Sequence, residues 1–164
     1  MKWASSISEK TSLEDAVKEC ISNVQTQMPD EAIHLAVIFV SPHYQADYDS
    51  VPDLVRQGLG PVVVLGCSGG GIIGDGQEVE QRPAVSITVA SLPGVEIVPF
   101  HLDGDNLPDL DAPPQAWEEA VNVSPSLSPQ FVMLADAFSF PVQNLLMGLD
   151  YAYSESAKIG GLAS

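Results

Sequence analysis

The stretch Gly66-Cys67-Ser68-Gly69-Gly70-Gly71-Ile72-Ile73-Gly74 holds five glycines in nine residues, with one thiol and one hydroxyl among them. A glycine has no Cβ, so a ligand or another backbone can approach the chain closely. Two readings follow: a tight strand-to-strand crossing, or recognition of a ligand by bare main-chain amides. Ser68, Gly69, Gly70 and Gly71 are candidate N–H donors to a small polar molecule. Glu78 and Glu80 follow two residues apart, on one face of an extended chain, either simply facing water or available to a cationic ligand group. Cys67 opens the Gly-rich loop directly after a strand, where a turn can lower a thiol pKa. A nucleophile needs a base, and His34, His43 and His101 stand at no recognisable spacing from it. The preferred reading of Cys67 is a buried or ligand-facing thiol, and no catalytic residue is assigned.

Other chemistries fit less well. Gly69 to Gly74 formally matches G-x-G-x-x-G, but Asp75-Gly76 follows where a helix must open, and Glu78 and Glu80 come too soon for a ribose-binding acid. No Lys-Ser or Lys-Thr follows the glycines, which excludes a P-loop. In Asp103-Gly104-Asp105-Asn106-Leu107-Pro108, Leu107 and Pro108 occupy a ligand place and the Gly place of a calcium loop, so a solvated acidic loop is expected. His43 and His101 are the residues that could ligate haem or a metal, but no C-x-x-C-H or H-E-x-x-H surrounds them. No metal ligand is assigned, and the cofactor is left unknown.

These groups need elements to hold them. Leu13, Ala16, Val17, Cys20, Ile21 and Val24 recur at helical spacing behind Thr11-Ser12-Leu13-Glu14, which resembles a capping box. Residues 33–41 are nearly all apolar and read as a strand covered on both faces. Asp49-Ser50 caps a helix reaching Gly58, and residues 62–65 form the strand that enters the Gly-rich loop. Residues 84–92 and 95–102 flank Pro93-Gly94 as a β-hairpin. A short helix is expected over 117–121 and a strand over 131–135. Ser139 caps a helix starting at Phe140-Pro141, and Lys158-Ile159 begin a strand that runs into a second Gly-rich turn at Gly160 and Gly161.

Six basic residues stand against 22 acidic ones, a formal charge of -16. Nucleic-acid affinity comes largely from Lys and Arg, so a phosphate backbone is excluded as partner. The same field disfavours an anionic membrane surface and a highly anionic ligand, and admits a basic protein partner. There is no apolar run of membrane-spanning length and no secretory signal, so a cytoplasmic protein without membrane insertion is expected. Two cysteines make no disulfide scaffold.

Residues 35–66 and 131–160 share one order: apolar strand, Ser, Pro, helix with buried Leu, then a strand running into Gly. The expected fold is therefore α+β: a mixed, largely antiparallel sheet from two related β-α-β-loop units, with helices outside. We expect a single domain over 1–164, its second repeat truncated, within a longer protein or against a partner supplying strands.

In their order, Gly66-Cys67-Ser68 through Gly71-Ile72-Ile73-Gly74, Glu78-Val79-Glu80, Ala84-Val85-Ser86 and Gly160-Gly161-Leu162-Ala163-Ser164 resemble the FIST family, in its N-terminal part, over residues 10–164. The resemblance implies an intracellular sensory module of signal-transduction proteins that binds amino acids or related small molecules, with haem sensing in some members. The expected function is non-enzymatic small-ligand binding. Cys67, Ser68, Gly69, Gly70, Gly71, Glu78 and Glu80 would form one side of a cleft, and Gly160 and Gly161 the other. The alternatives are an interaction subunit that binds a protein through its acidic surface or an open sheet edge, and a haem-based sensor.

Overall fold

The computed structural model describes residues 1–163. The chain divides into two compact units, Met1–Val95 and Glu96–Ser164.

The first unit runs β1 (Lys2–Ser8), α1 (Leu13–Gln27), β2 (Leu35–Val40), a 3₁₀ segment (Pro42–Ser50), α2 (Val51–Leu59), β3 (Val63–Ser68), β4 (Gly71–Gly74), β5 (Gln77–Glu80) and β6 (Val85–Ser91). Four strands form one sheet in the order β1-β6-β2-β3. β6 is antiparallel to both β1 and β2, while β3 joins β2 in parallel. One face carries Ala36, Ile38, Val40, Val85, Ile87 and Val89, all buried with the apolar stripe of α1 and with Val51 and Val55 of α2. Each buried Val or Ile among them contributes about 1.5–3 kcal/mol over leaving the side chain in water. The other face carries Ile7 and Phe39, which pack beneath Ile72 and Val79 of the β4–β5 hairpin, with Ala84 beside them. Helices therefore cover one side of this sheet and a hairpin covers part of the other.

The second unit runs α3 (Pro114–Val121), a 3₁₀ turn (Pro125–Leu127), β7 (Phe131–Asp136), α4 (Val142–Ala152) and β8 (Lys158–Ala163). β7 and β8 pair in parallel. Trp117, Val121, Phe131, Leu145, Leu149 and Tyr153 form its core. The fold is α+β, with parallel and antiparallel pairing mixed.

Several expectations need correction. Residues 95–102 form no strand and no hairpin with the preceding one. β6 already has a partner along each edge, β1 and β2, so no ladder is left for a third strand. Phe100 and Leu102 are apolar because they pack on the second core, Phe100 edge-to-face with Phe131 at 6.2 Å. The hairpin that does form is β4–β5. Its turn is Asp75-Gly76, with φ of 48° and 72°, both left-handed as a two-residue primed turn requires.

The Ser-rich sequence of β1 does not announce a strand. Its alternate residues Ala4, Ser6 and Ser8 are buried, and the hydroxyls bond to α1: Asn23 Nδ2 donates to Ser6 Oγ at 3.1 Å, and Ser8 Oγ donates to Glu19. The helix cap is Ser12, whose Oγ accepts from Asp15 N, one residue later than the expected box. Ser139 does not cap α4. Its hydroxyl donates to Asp136 Oδ2 at 2.7 Å, and Pro141 stands at the cap position.

Candidate functional site

The Gly-rich stretch is mostly ladder. Gly66, Cys67 and Ser68 are the last residues of β3 and stand opposite Ile38, Phe39 and Val40. Gly71 to Gly74 are β4. Only Gly69 and Gly70 connect them, so of the two readings the tight strand-to-strand crossing is the one that forms, and not a long bare loop. Gly69 N–H donates to Val40 O at 3.1 Å and is already committed within the molecule. A Cβ on Gly70 would meet nothing within 4 Å.

Gly66 has a definite reason to be glycine. A Cβ there would lie 2.1 Å from Ile38 O, so β3 can approach β2 this closely only without a side chain.

A cavity of about 320 Å³ opens beside this end of β3. Ile38, Val40, Val64, Gly66, Cys67 and Ser68 line its sheet side. Tyr48, Val51, Pro52 and Arg56 line the other, from the 3₁₀ segment and α2. The volume is about that of ten water molecules in the liquid, at ~30 Å³ each, and falls at the small end of ligand pockets.

Ser41, at the end of β2, fixes this wall. Its backbone N–H and its Oγ tie β2 to Ala84 at 2.9 and 3.0 Å, and its carbonyl accepts from Tyr48 OH at 3.2 Å. Tyr48 is thereby held with its ring against the cavity, while Pro52 in the first turn of α2 sets the helix start.

Arg56 is the one basic residue of the lining among the described residues. Its Nη1 stands 3.9 Å from Asp53 Oδ1, beyond hydrogen-bond length. No carboxylate of the described residues lines the cavity. Burial pushes the Cys67 thiol above its ordinary pKa, the reverse of what an activated nucleophile requires. His34 Nδ1 accepts from Leu92 N at 3.0 Å and His43 Nδ1 faces Ser41 Oγ at 3.3 Å, so the hydrogen bonds of both rings lie elsewhere than Cys67.

Of the residues singled out in the sequence, Cys67 and Ser68 line this cavity. Glu78 and Glu80 sit on the exposed face of β5, opposite the buried Val79, on the hairpin that covers the other side of the sheet from α1 and α2. Their carboxylates approach Gly71: a Cβ there would be 3.7 Å from Glu80 Oε1 and 4.0 Å from Glu78 Oε1. They are not brought to the cavity.

Gly160 and Gly161 belong to the second unit and lie inside β8 rather than in a turn. Gly160 repeats the Gly66 geometry, its absent Cβ falling 1.8 Å from Met133 O. Ser164, which completes that motif, lies outside the described residues.

In the acidic loop, Asp103 Oδ1 accepts from the amides of Asp105 and Asn106, each at 3.0 Å, and so closes its own turn. Among the described residues no three His, Cys, Asp or Glu side chains gather as a metal site, and no helix is long and apolar enough to cross a membrane.

Sequence reasoning missed Tyr48, Val51, Pro52 and Arg56. The available signal was Arg56 itself, one of only six cations, placed on the helix between the two parallel strands.

The curated proteins include no match to this chain. The family model of the FIST N domain matches residues 34–164, from just before β2 through β8. The match spans both β-α-β units and the glycines at 66 and 160 that let their strands close. The chain belongs to the FIST N domain family of sensory, signal-transduction modules.

Proposed function

We propose that this chain is a non-enzymatic sensory domain that holds a small molecule in the cavity between β3 and α2. One observation carries the reading: a 320 Å³ hollow with apolar walls and three polar groups, Tyr48, Arg56 and Ser68. Concave, largely apolar sites with a few placed polar groups are what small ligands use. The raised pKa of Cys67 supports binding over nucleophilic chemistry.

Thermal-shift screening of the purified chain against a panel of small metabolites tests this. A ligand at 100 times its Kd adds about 2.7 kcal/mol of stability, and the shift must disappear in Val64→Trp, which fills the hollow. A panel member that shifts the wild type and the filled variant equally would place binding elsewhere and overturn the reading.

A second reading, a protein-interaction subunit, has one observation in its favour. Val132 and Ile159 are paired on the face of β7–β8 away from α4 and are 52% and 65% exposed. Exposed paired apolar side chains on an open two-stranded sheet suit strand or sheet docking. Ile159→Lys would then abolish a concentration-dependent increase in sedimentation coefficient. A wild-type chain that stays monomeric at all concentrations removes self-association from this reading.

A further inference from the structure

We infer that the cavity beside Gly66–Ser68 takes a small monocarboxylate with an apolar tail and no amine, held by Arg56. The inference rests on the ligand-binding reading above and names the chemical class.

Of six basic side chains, Lys2, Lys18, Arg82 and Lys158 are held by carboxylates at 2.9 Å or closer. Lys10 and Arg56 stand at 3.8 and 3.9 Å from theirs. Of these two, only Arg56 lines the cavity. A guanidinium presents a planar fork of N–H donors that matches a carboxylate with two parallel bonds. With Asp53 beyond bonding distance, that fork is open to an incoming anion.

Ile38, Val40, Val51, Pro52 and Val64 supply hydrocarbon, and among the described residues no Asp or Glu lines the cavity. A free amino acid would bring an ammonium with no counter-charge, and a desolvated unpaired charge is costly. A simple amine would meet Arg56 as a like charge.

At -16 the chain repels polyanions, but that field is screened within roughly 8 Å at physiological ionic strength. A single carboxylate beside one guanidinium loses little to it, whereas a phosphate or a dicarboxylate loses more. Ser68 lines the facing, sheet side of the cavity, and its hydroxyl would be a further donor for the head group.

Calorimetric titration of the full chain with isovalerate, phenylacetate, L-leucine and isoamylamine tests the assignment. The expected result is saturable binding of one or both monocarboxylates, at least ~10-fold tighter than leucine and with none for the amine. Arg56→Gln should weaken the acid by ~10-fold or more, and Arg56→Lys by less, because a point charge keeps attraction but loses the fork. Circular dichroism confirms that each variant is folded. Leucine binding more tightly than the acids, with loss in Val64→Trp, overturns the amine-free assignment while the pocket reading stands. Acid binding unchanged in both Arg56→Gln and Val64→Trp overturns both.

Discussion

Gly66 and Ile38 face each other across the parallel β2–β3 pair so closely that a methyl group on Gly66 would lie 2.1 Å from the Ile38 carbonyl oxygen. Gly160 and Met133 repeat this contact in the β7–β8 pair, at 1.8 Å. In each case a glycine lets the second strand of a β-α-β unit close against the carbonyl of the first. The internal likeness visible in the sequence is thus a shared backbone contact. Residue type at 66 also sets the cavity wall, because β3 cannot hold its place with a side chain there.

Glycines in this chain should differ sharply in tolerance. Gly66→Ala must push β3 from β2 and is expected to cost about 3 kcal/mol, as overpacking in a tight site does. Gly70→Ala meets open space and should stay within about 0.5 kcal/mol of wild type. Urea unfolding of both variants checks the contrast. Equal stabilities would mean the β2–β3 contact relaxes freely.

Cys20 makes stability fall at alkaline pH. It is fully buried on α1, and burial pushes its thiol up to about 11 from an ordinary value of 9.0. The folded state therefore holds this proton longer than the unfolded chain. The associated stability is complete below about pH 9 and is lost as pH climbs toward 11, an effect of about 3 kcal/mol at 1.36 kcal/mol per pH unit. Comparing wild type with Cys20→Ala by denaturant melts at pH 8 and pH 10.5 isolates this thiol from Tyr44 and Tyr153, whose pKa values burial also raises. A pH 10.5 penalty identical in both proteins would refute it.

The two thiols should separate by reactivity. Iodoacetamide at pH 8 is expected to modify Cys67 slowly, since it is only half-buried, and to leave Cys20 untouched until the protein unfolds. Mass spectrometry of time points reads this. A bound occupant of the cavity should slow Cys67 further, because Cys67 lines it.

Trp117 and Gly148 should behave as one unit. A Cβ on Gly148 would lie 2.0 Å from Trp117 Cζ2, so Gly148→Ala drives a methyl into the indole and is expected to cost about 3 kcal/mol. Trp117 Nε1 has no hydrogen-bond partner among the described residues. Trp117→Phe removes that orphaned donor, worth about 1–3 kcal/mol, which offsets part of the lost packing. The net cost should stay below ~2 kcal/mol, against ~3–5 for truncation of Trp to Ala. Phe also vacates the space that the methyl of Gly148→Ala needs. The double variant should then be more stable than the sum of the two singles by ~1 kcal/mol or more. Strict additivity in urea melts would contradict the contact.

Periodicity makes α1, β2, β7 and α4 legible, because each buries a stripe or a face and its apolar spacing records that locally. β1 is not legible. Its buried positions are Ala4, Ser6 and Ser8, small residues accepted because α1 lies close and supplies Asn23 and Glu19 as partners. Asp75-Gly76 is a readable hairpin signal, masked by the run of glycines before it. Gly66, Cys67 and Ser68 stand out in the sequence and do line the cavity, yet Tyr48 and Arg56 reach it only through the fold of the 3₁₀ segment and α2.

By itself the sequence determined the α+β class, the β-α-β repeat and the strongly acidic composition. These follow from local spacing and composition, which act on a residue and its near neighbours. Tertiary structure alone decided that β6 sits centrally between β1 and β2, so that residues 95–102 find no ladder, and that the β4–β5 hairpin carries Glu78 and Glu80 to the other face from the cavity. Strand partnership and face depend on which distant backbone edge is free and which surface is still wet. Those are properties of the assembled sheet, and no window of sequence contains them.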